Sequence, residues 1–226
     1  MLNHTTYLPD ITYCGIDGRI SEFAIKMLIR HAEFAARYFK FHKIVILTPP
    51  QNHIRHDLVQ FISIDPIGSL QDYNNFCIKE LHKHIDSKFC LLFQWDGCIA
   101  NPHLWSNEFL DYDYIGAPWP LDGWLRGYPC RENGIVGNGG FSLRSFKLLQ
   151  ECSDLQIDKK INEDVTISLI YRQYFLSKGF KFPKLDIGKR FAIETAWDDH
   201  DKLETSFGFH SITHLKTFLR REAHAN

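Results

Sequence analysis

The stretch Phe89-Cys90-Leu91-Leu92-Phe93-Gln94-Trp95-Asp96-Gly97 decides the fold. Residues 88–93 form a short apolar and aromatic run without Pro or Gly, which predicts a strand covered on both faces. Asp96 and Gly97 end this strand. A carboxylate at the carboxyl end of a buried strand lies where open α/β sheets bind their ligands. The alternative is a simple turn, because Asp-Gly is a common turn pair.

Strands and helices alternate through the first hundred residues. The predicted strands cover residues 11–16, 43–47, 60–64 and 89–93, and the predicted helices cover residues 22–39 and 69–81. This alternation predicts an α/β fold with a mainly parallel sheet flanked by helices. Four polar side chains fall at predicted strand ends and are therefore ligand-binding candidates: Asp17, Arg19, Thr48 and Asp96. For Asp17 a turn role is the simpler interpretation, because Gly18 follows it.

The second half has a different character. Residues 105–140 are rich in Trp, Tyr, Gly, Pro and Asp, a composition that suits the wall of a pocket because sugar rings stack on aromatic faces. Residues 142–150 are compatible with a helix or a strand. A helix is predicted from Glu163 until Gly179, a short strand over residues 191–194, and a C-terminal segment over residues 212–223. That segment is expected to be a docked helix, although its basic residues also suit an anionic membrane surface.

Composition excludes several classes of protein. The chain has 226 residues, 44% of them hydrophobic and 14% aromatic, which argues against disorder. A net charge of -1 without a basic block gives no reason to propose a nucleic-acid partner. The N-terminus lacks a secretory signal, and no apolar stretch is long enough to span a bilayer. We therefore expect a cytoplasmic protein with at most peripheral contact at the inner membrane face. Six cysteines without a Cys-x-x-Cys pair are expected to be reduced: 14, 77, 90, 98, 130 and 152.

Four features suggest chemistry when they are taken together. Asp96 and His210 offer one carboxylate and one imidazole, a mixed oxygen and nitrogen set that suits Mn²⁺ or Mg²⁺. Glu163 and Asp164 form a carboxylate pair that suits deprotonation of a hydroxyl. The glycine-rich segment, residues 136–142, permits close approach of the backbone to a ligand. Each feature alone has a structural alternative: a turn, a core histidine, a helix start or a bulged hairpin.

The order of these motifs resembles that of glycosyltransferases of the GT-A fold, and the chain looks most like an uncharacterised bacterial family of such domains. Five strings carry the resemblance: Gln-Trp-Asp-Gly (94–97), Asp-Tyr-Ile-Gly-Ala-Pro-Trp (113–119), Val-Gly-Asn-Gly-Gly-Phe-Ser-Leu-Arg-Ser (136–145), Glu-Asp-Val (163–165) and Phe-Gly-Phe-His (207–210). The resemblance implies a Rossmann-like single domain over residues 1–226. Its nucleotide-sugar half would cover about residues 1–100, and its acceptor and catalytic half about residues 101–226.

The same resemblance implies a function. The donor would be a nucleotide sugar, with UDP favoured, and the acceptor a hydroxyl on a glycan or another molecule. Such enzymes usually carry Asp-x-Asp where this chain has Gln94-Trp95-Asp96, so only Asp96 carries over as a direct carboxylate ligand, with His210 as a late ligand. Asp164 would be the catalytic base of an inverting displacement, with Glu163 as runner-up. Two sets of residues would complete the donor site: Asn138, Gly139 and Gly140 around the sugar, and Trp105, Trp119, Trp124 and Tyr128 as stacking faces.

Other functions remain open at this point. A carbohydrate- or nucleotide-binding module would keep the fold without turnover. A retaining transferase, a metal-dependent glycosidase or a nucleotidyltransferase would use similar residues. The donor sugar, the base and the acceptor are not readable from the sequence.

Overall fold

A computed structural model of the protein describes residues 5–120, 135–158, 160–196 and 201–225. The chain is an α/β protein whose central sheet is mixed and largely parallel and is flanked by helices. This confirms the predicted fold class. The strands are β1 (Thr6–Ile16), β2 (Phe39–Thr48), β3 (Gln60–Ser63), β4 (Phe89–Phe93), β5 (Gly97–Ile99), β6 (Tyr114–Ile115), β7 (Pro118–Trp119), β8 (Ile135–Val136), β9 (Phe141–Ser145), β10 (Ala192–Ile193) and β11 (Gly208–His210).

The central sheet has the order β3-β2-β1-β4-β9-β6. Its first four strands are parallel, whereas β9 runs antiparallel to both of its neighbours. The four predicted strands are all present, and β4 has the predicted bounds, residues 89–93. Leu91, Leu92 and Phe93 are fully buried, as expected for a strand with helices on both faces.

The direction of chain travel reverses between β1 and β4. The chain runs outward from β1 through β2 to β3, and then returns to place β4 on the other side of β1. Such a point leaves a crevice at the carboxyl ends of the two central strands, where open α/β sheets bind ligands. Two smaller sheets complete the set among the described ranges, β10-β11-β5 and β7-β8.

The helices are α1 (Glu22–Ala36), α2 (Leu70–Asn75), α3 (Phe146–Ser153), α4 (Glu163–Val165), α5 (Arg172–Ser177), α6 (Leu185–Phe191) and α7 (Ile212–Ala225). The predicted helix 22–39 ends earlier, because residues from Phe39 onward pair with β1 as strand β2. The predicted helix 69–81 is regular only in α2 and continues as π and 3₁₀ turns to His84.

Residues 142–150, for which helix and strand were both open, contain one of each. Strand β9 ends at Ser145, whose Oγ accepts a hydrogen bond from Leu148 N and so starts α3. The predicted stop at Gly179 is confirmed, since Gly179 has φ +83° in the left-handed region. The C-terminal segment is a docked helix, α7, which buries Leu215 and Phe218.

Five cysteines, at positions 14, 77, 90, 98 and 152, are free and buried, while Cys130 lies outside the described residues. Within the described ranges, no helix combines the length and apolar character that crossing a membrane requires.

Candidate functional site

The turn that follows β4 carries the first site residue. Gly97 N donates to the carbonyl of Gln94 at 3.2 Å, which closes the turn. Asp96 is therefore both a turn residue and a partly exposed carboxylate at the carboxyl end of a buried strand. Beneath it, His31 Nε2 donates to the Trp95 carbonyl at 2.9 Å. Burial lowers the pKa of His31 to about 4, so the ring is neutral at pH 7 and holds the turn by a hydrogen bond.

Strand β11 brings His210 to this turn, because its antiparallel pairing with β5 sets His210 opposite Gly97. The His210 ring lies between two carboxylates. Its Nε2 is 3.4 Å from Asp96 Oδ1, and its Nδ1 is 3.1 Å from Glu194 Oε1. Asp96 Oδ1 is buried and has no hydrogen-bond partner within the described part of the chain.

The His210 ring carries a proton in this arrangement. Burial alone would lower the pKa of His210, but the close contacts with the Asp96 and Glu194 carboxylates and their negative charges outweigh burial and raise the pKa to about 9. The imidazolium also lies 3.1 Å from Gln94 Oε1, and Gln94 Nε2 donates to Tyr73 Oη at 2.7 Å. Gln94 therefore orients the histidine.

The backbone beyond His210 is strained. Ser211 has φ 152°, the one non-glycine residue with positive φ in the described ranges. A non-glycine residue in such a region costs on the order of 1–3 kcal/mol and tends to occur at functional sites. Ser211 N donates to the Asp96 carbonyl at 2.9 Å, so the strained residue ties His210 to the turn that bears Asp96.

Two adjacent glycines connect this cluster to the acidic pair. A Cβ on Gly140 would lie 2.3 Å from His210 Nε2, and a Cβ on Gly139 would lie 2.4 Å from Glu163 Oε1. A side chain at either position would therefore force its neighbour to move. Asn138 Oδ1 accepts from Gly140 N at 3.1 Å and fixes the segment. Because adjacent Cα atoms are about 3.8 Å apart, the double glycine places the histidine and the acidic pair on either side of one peptide unit.

The two acidic residues have different surroundings. Glu163 is 3% exposed and pairs with the fully buried Arg144 at 2.6 Å. Asp164 is partly exposed, and its carboxylate oxygens accept from Gly139 N at 3.0 Å and Val165 N at 2.8 Å. Burial and the Glu163 charge raise the pKa of Asp164 well above its ordinary value. Of the two carboxylates, Asp164 is thus the one that a substrate can contact, and its raised pKa makes it the stronger base.

A cavity of about 380 Å³ lies at the reversal point between β1 and β4. Asp17, Arg19 and Gln94 line it. Ligand binding by Asp17 and Arg19 stays a prediction. Arg19 Nε and Nη2 donate to the two oxygens of Asp17 at 3.0 and 2.6 Å. The hydrogen bond to Asp17 raises the pKa of Arg19, so the cavity has a fixed ion pair on its wall.

Other predicted site residues lie away from these clusters. Thr48 is fully buried, and its hydroxyl accepts from Asn52 Nδ2 at 2.7 Å, so it braces a loop. Trp119 is 6% exposed and packs with Val165, which leaves little ring face for a ligand. Trp105 packs edge-on against Phe207. Trp124 and Tyr128 lie outside the described residues.

Three residues of these clusters were missed by sequence reasoning: Glu194, Arg144 and His31. His31 lies on the apolar face of the predicted helix, three residues after Leu28 and three before Phe34, and a polar side chain at such a core position is itself a signal of a buried partner. Arg144 follows Leu143 in a segment that also contains two serines, so its burial had no comparable signal. Glu194 ends a predicted strand, and only the pairing of β10 with β11 brings it to His210. Among the described residues, no group of three or more His, Cys, Asp or Glu is arranged to hold a metal ion. Asp96, His210 and Glu194 do not form one, because Glu194 faces the opposite ring nitrogen from Asp96.

Comparisons with known proteins give a family without a function. One similar solved structure is the bifunctional IspDF from Campylobacter jejuni, at 12% sequence identity and a TM-score of 0.46. The match covers 67% of this chain and 46% of that chain, so the chain spans less than half the length of that protein. No curated protein matches the sequence. The profile of the family described as "Protein of unknown function (DUF5672)" matches residues 58–210, and the chain therefore belongs to this family.

Proposed function

We propose that the protein is a glycosyltransferase that moves a sugar from a nucleotide sugar, with UDP favoured, to an acceptor hydroxyl, with a glycan as the favoured acceptor. One observation carries the proposal. Gly139 and Gly140 lie between Asp164 on one side and the Asp96–His210 pair on the other. Asp164 could accept a proton on one side, and Asp96 with His210 could hold a diphosphate on the other, while the glycines leave room for a ligand between them. The cavity lined by Asp17 and Gln94 lies nearby, where α/β sheets bind ligands.

The donor atoms of Asp96 and His210 suit Mn²⁺ or Mg²⁺ once His210 releases its Nε2 proton, because an imidazole must be neutral to bind a metal ion. Ligands at about 2.1 Å in octahedral geometry lie about 3 Å from one another, and Asp96 Oδ1 lies 3.4 Å from His210 Nε2. Asp96 Oδ1 accepts no hydrogen bond within the described part of the chain, which supports this assignment. Glu194 would accept a hydrogen bond from the Nδ1–H group, as carboxylates commonly do behind a metal-bound histidine. When bound, such an ion stabilises the negative charge of a leaving diphosphate.

The chain's own residues would perform the transfer. Asp164 would take the proton of the acceptor hydroxyl as its oxygen bonds to the anomeric carbon. The bond from that carbon to the phosphate oxygen would break, and the nucleoside diphosphate would leave with the electron pair. Attack from the face opposite the leaving group inverts the anomeric centre. Glu163 would remain paired with Arg144 and raise the basicity of Asp164.

The test is a panel of UDP-sugars with Mn²⁺, in which released UDP is measured. Replacement of Asp164 by Asn is expected to lower turnover by about 10²–10⁴-fold, the usual share of a general base, with donor binding retained. The matched control is Asp154→Asn, the same change on an exposed loop, which is expected to turn over normally.

Two outcomes would contradict the proposal. Normal turnover in Asp164→Asn would refute the assignment of the base. Donor binding without turnover in the wild-type protein, across the panel and with glycan acceptors, would instead support a non-catalytic binding module. Melting temperature with and without donor separates these outcomes from unfolding, since a ligand that binds the native state raises it.

A further inference from the structure

A second cavity lies at the opposite end of the central sheet. Its volume is about 480 Å³, within the range of small-molecule pockets. Phe89 opens β4 and lines this cavity, whereas Asp96 follows the other end of β4. A strand of this length separates its two ends by about 13 Å at about 3.3 Å per residue. The cavity is therefore distinct from the candidate active site.

The walls of the second cavity are largely apolar. Phe89, Leu110, Tyr112 and Phe146 supply them, and each is only partly buried. When an apolar ligand covers partly buried aromatic and aliphatic side chains on a concave surface, the free energy of binding becomes more favourable.

The charged groups at the cavity favour an anion. Lys88, Lys147 and Lys181 line it against Asp111 and Asp113, a net charge of +1. The Asp113 carboxylate is already satisfied, because it accepts from Ser145 Oγ at 2.7 Å, Lys147 Nζ at 3.0 Å and Lys181 N at 2.8 Å.

Lys181 is held in place by its backbone. Its carbonyl accepts from Asp113 N at 2.8 Å, and its own N–H donates to the same residue. Its ammonium group forms no ion pair within the described ranges. Lys88 pairs with Asp10 at 3.0 Å, but both side chains are about half exposed or more, and such surface pairs contribute little. Two ammonium groups are thus available to a ligand.

We propose that this cavity binds a small organic carboxylate with an apolar body, such as a medium-chain alkyl carboxylate. The apolar walls would cover the body, and Lys181 and Lys88 would receive the carboxylate at the mouth. The proposal is independent of the transferase assignment, since it uses no residue of that site.

The probe is octanoate, titrated into the full chain and followed by amide chemical shifts. Saturable shifts are expected at Phe89, Ser145 and Phe146, with none at Gly139 or Gly140. Lys181→Gln should weaken binding about fivefold, the effect of one charge over about 4 Å in water. Asp111→Asn should tighten it by up to about fivefold for the same reason. The matched control is Lys216→Gln on exposed α7, which should leave the affinity unchanged.

Three results would overturn the proposal. The first is that octanoate produces no saturable shifts, or only shifts that spread over the surface or centre on the double glycine. Equal loss in Lys181→Gln and Lys216→Gln would show bulk attraction only. Binding of neutral 1-octanol as tight as that of octanoate would show that the carboxylate is not recognised. All of the substituted side chains are exposed, so these variants are expected to fold.

Discussion

The double glycine has an ion cluster on each side, and the two clusters differ in how far solvent reaches them. On one side, Arg144 and Glu163 are buried at 2.6 Å from each other. On the other, Asp96, His210 and Glu194 keep 15–25% of their side-chain surface exposed. Asp96 Oδ1 there is buried without a hydrogen bond. The first, closed cluster is inaccessible to ligands. In the second, open cluster, Asp96 Oδ1 can still bind a cation.

This difference assigns a structural role to the Arg144–Glu163 pair and a binding role to the Asp96, His210 and Glu194 cluster. A buried charge must be paired to be tolerated, so the Arg144–Glu163 pair holds the glycine segment in place. A half-buried cluster with an unsatisfied acceptor can exchange partners when a cation arrives. Changes in the closed cluster should therefore alter stability most, and changes in the open cluster should alter binding most.

The largest expected effect is on the stability of the closed cluster. Arg144→Met leaves Glu163 buried without a partner, which should lower the free energy of unfolding by about 3–5 kcal/mol in urea denaturation. Adding Glu163→Gln to this variant should recover part of the loss, because the buried charge is then removed.

The matched control is Arg190→Met. Arg190 pairs with Glu108 at the same 2.6 Å, but both side chains are 40% exposed or more. Its loss should cost less than about 1 kcal/mol. Equal losses in Arg144→Met and Arg190→Met would remove the distinction between the clusters.

The next effect concerns the contact between the double glycine and the open cluster. Gly140→Ala would place a Cβ 2.3 Å from the His210 ring. The ring would have to move, at a cost of about 1–3 kcal/mol in unfolding free energy. Mn²⁺ binding, measured by calorimetric titration, should weaken as well. Gly68→Ala is the control, since the nearest atom to its Cβ would be 3.9 Å away. If Mn²⁺ affinity is the same in both variants, Gly140 does not position His210.

A smaller effect should appear as a pH dependence of stability. His31 has an ordinary pKa of 6.5 when unfolded and about 4 when folded. Between these values the unfolded chain binds a proton that the folded chain lacks, so stability falls as the pH is lowered. From pH 7 to pH 5, wild type should lose about 2 kcal/mol more than His31→Gln, at about 1.4 kcal/mol per pH unit. Parallel denaturation curves for the two proteins at both pH values would contradict the neutral, turn-holding role of His31.

The sequence predicted the sheet better than the site. Both ends of strand β4 were predicted correctly, because a short apolar run between polar residues can be recognised from neighbouring residues alone. Asp96 and His210 are brought together by pairing between β5 and β11, which the sequence did not show; their residue types and the resemblance of motifs connected them beforehand. Glu194 and Arg144 escaped prediction because their roles depend on partners 16 and 19 residues away in sequence. Tertiary packing decides such pairings, and it produces no periodic pattern in the sequence from which they could be predicted.

We propose that Asp96 and His210 form a cation-dependent nucleotide site. The most direct measurement is calorimetric titration of UDP into wild type, Asp96→Asn and the exposed-loop control Asp154→Asn, each with and without Mn²⁺. Wild type and Asp154→Asn should bind UDP more tightly with Mn²⁺. In Asp96→Asn, the increase in UDP affinity that Mn²⁺ causes should be at least about tenfold smaller than in wild type. Even the loss of a residue that only hydrogen-bonds to a metal ligand typically lowers metal affinity by about tenfold or more. UDP affinity that is equal with and without Mn²⁺, or unchanged by Asp96→Asn, would contradict the claim.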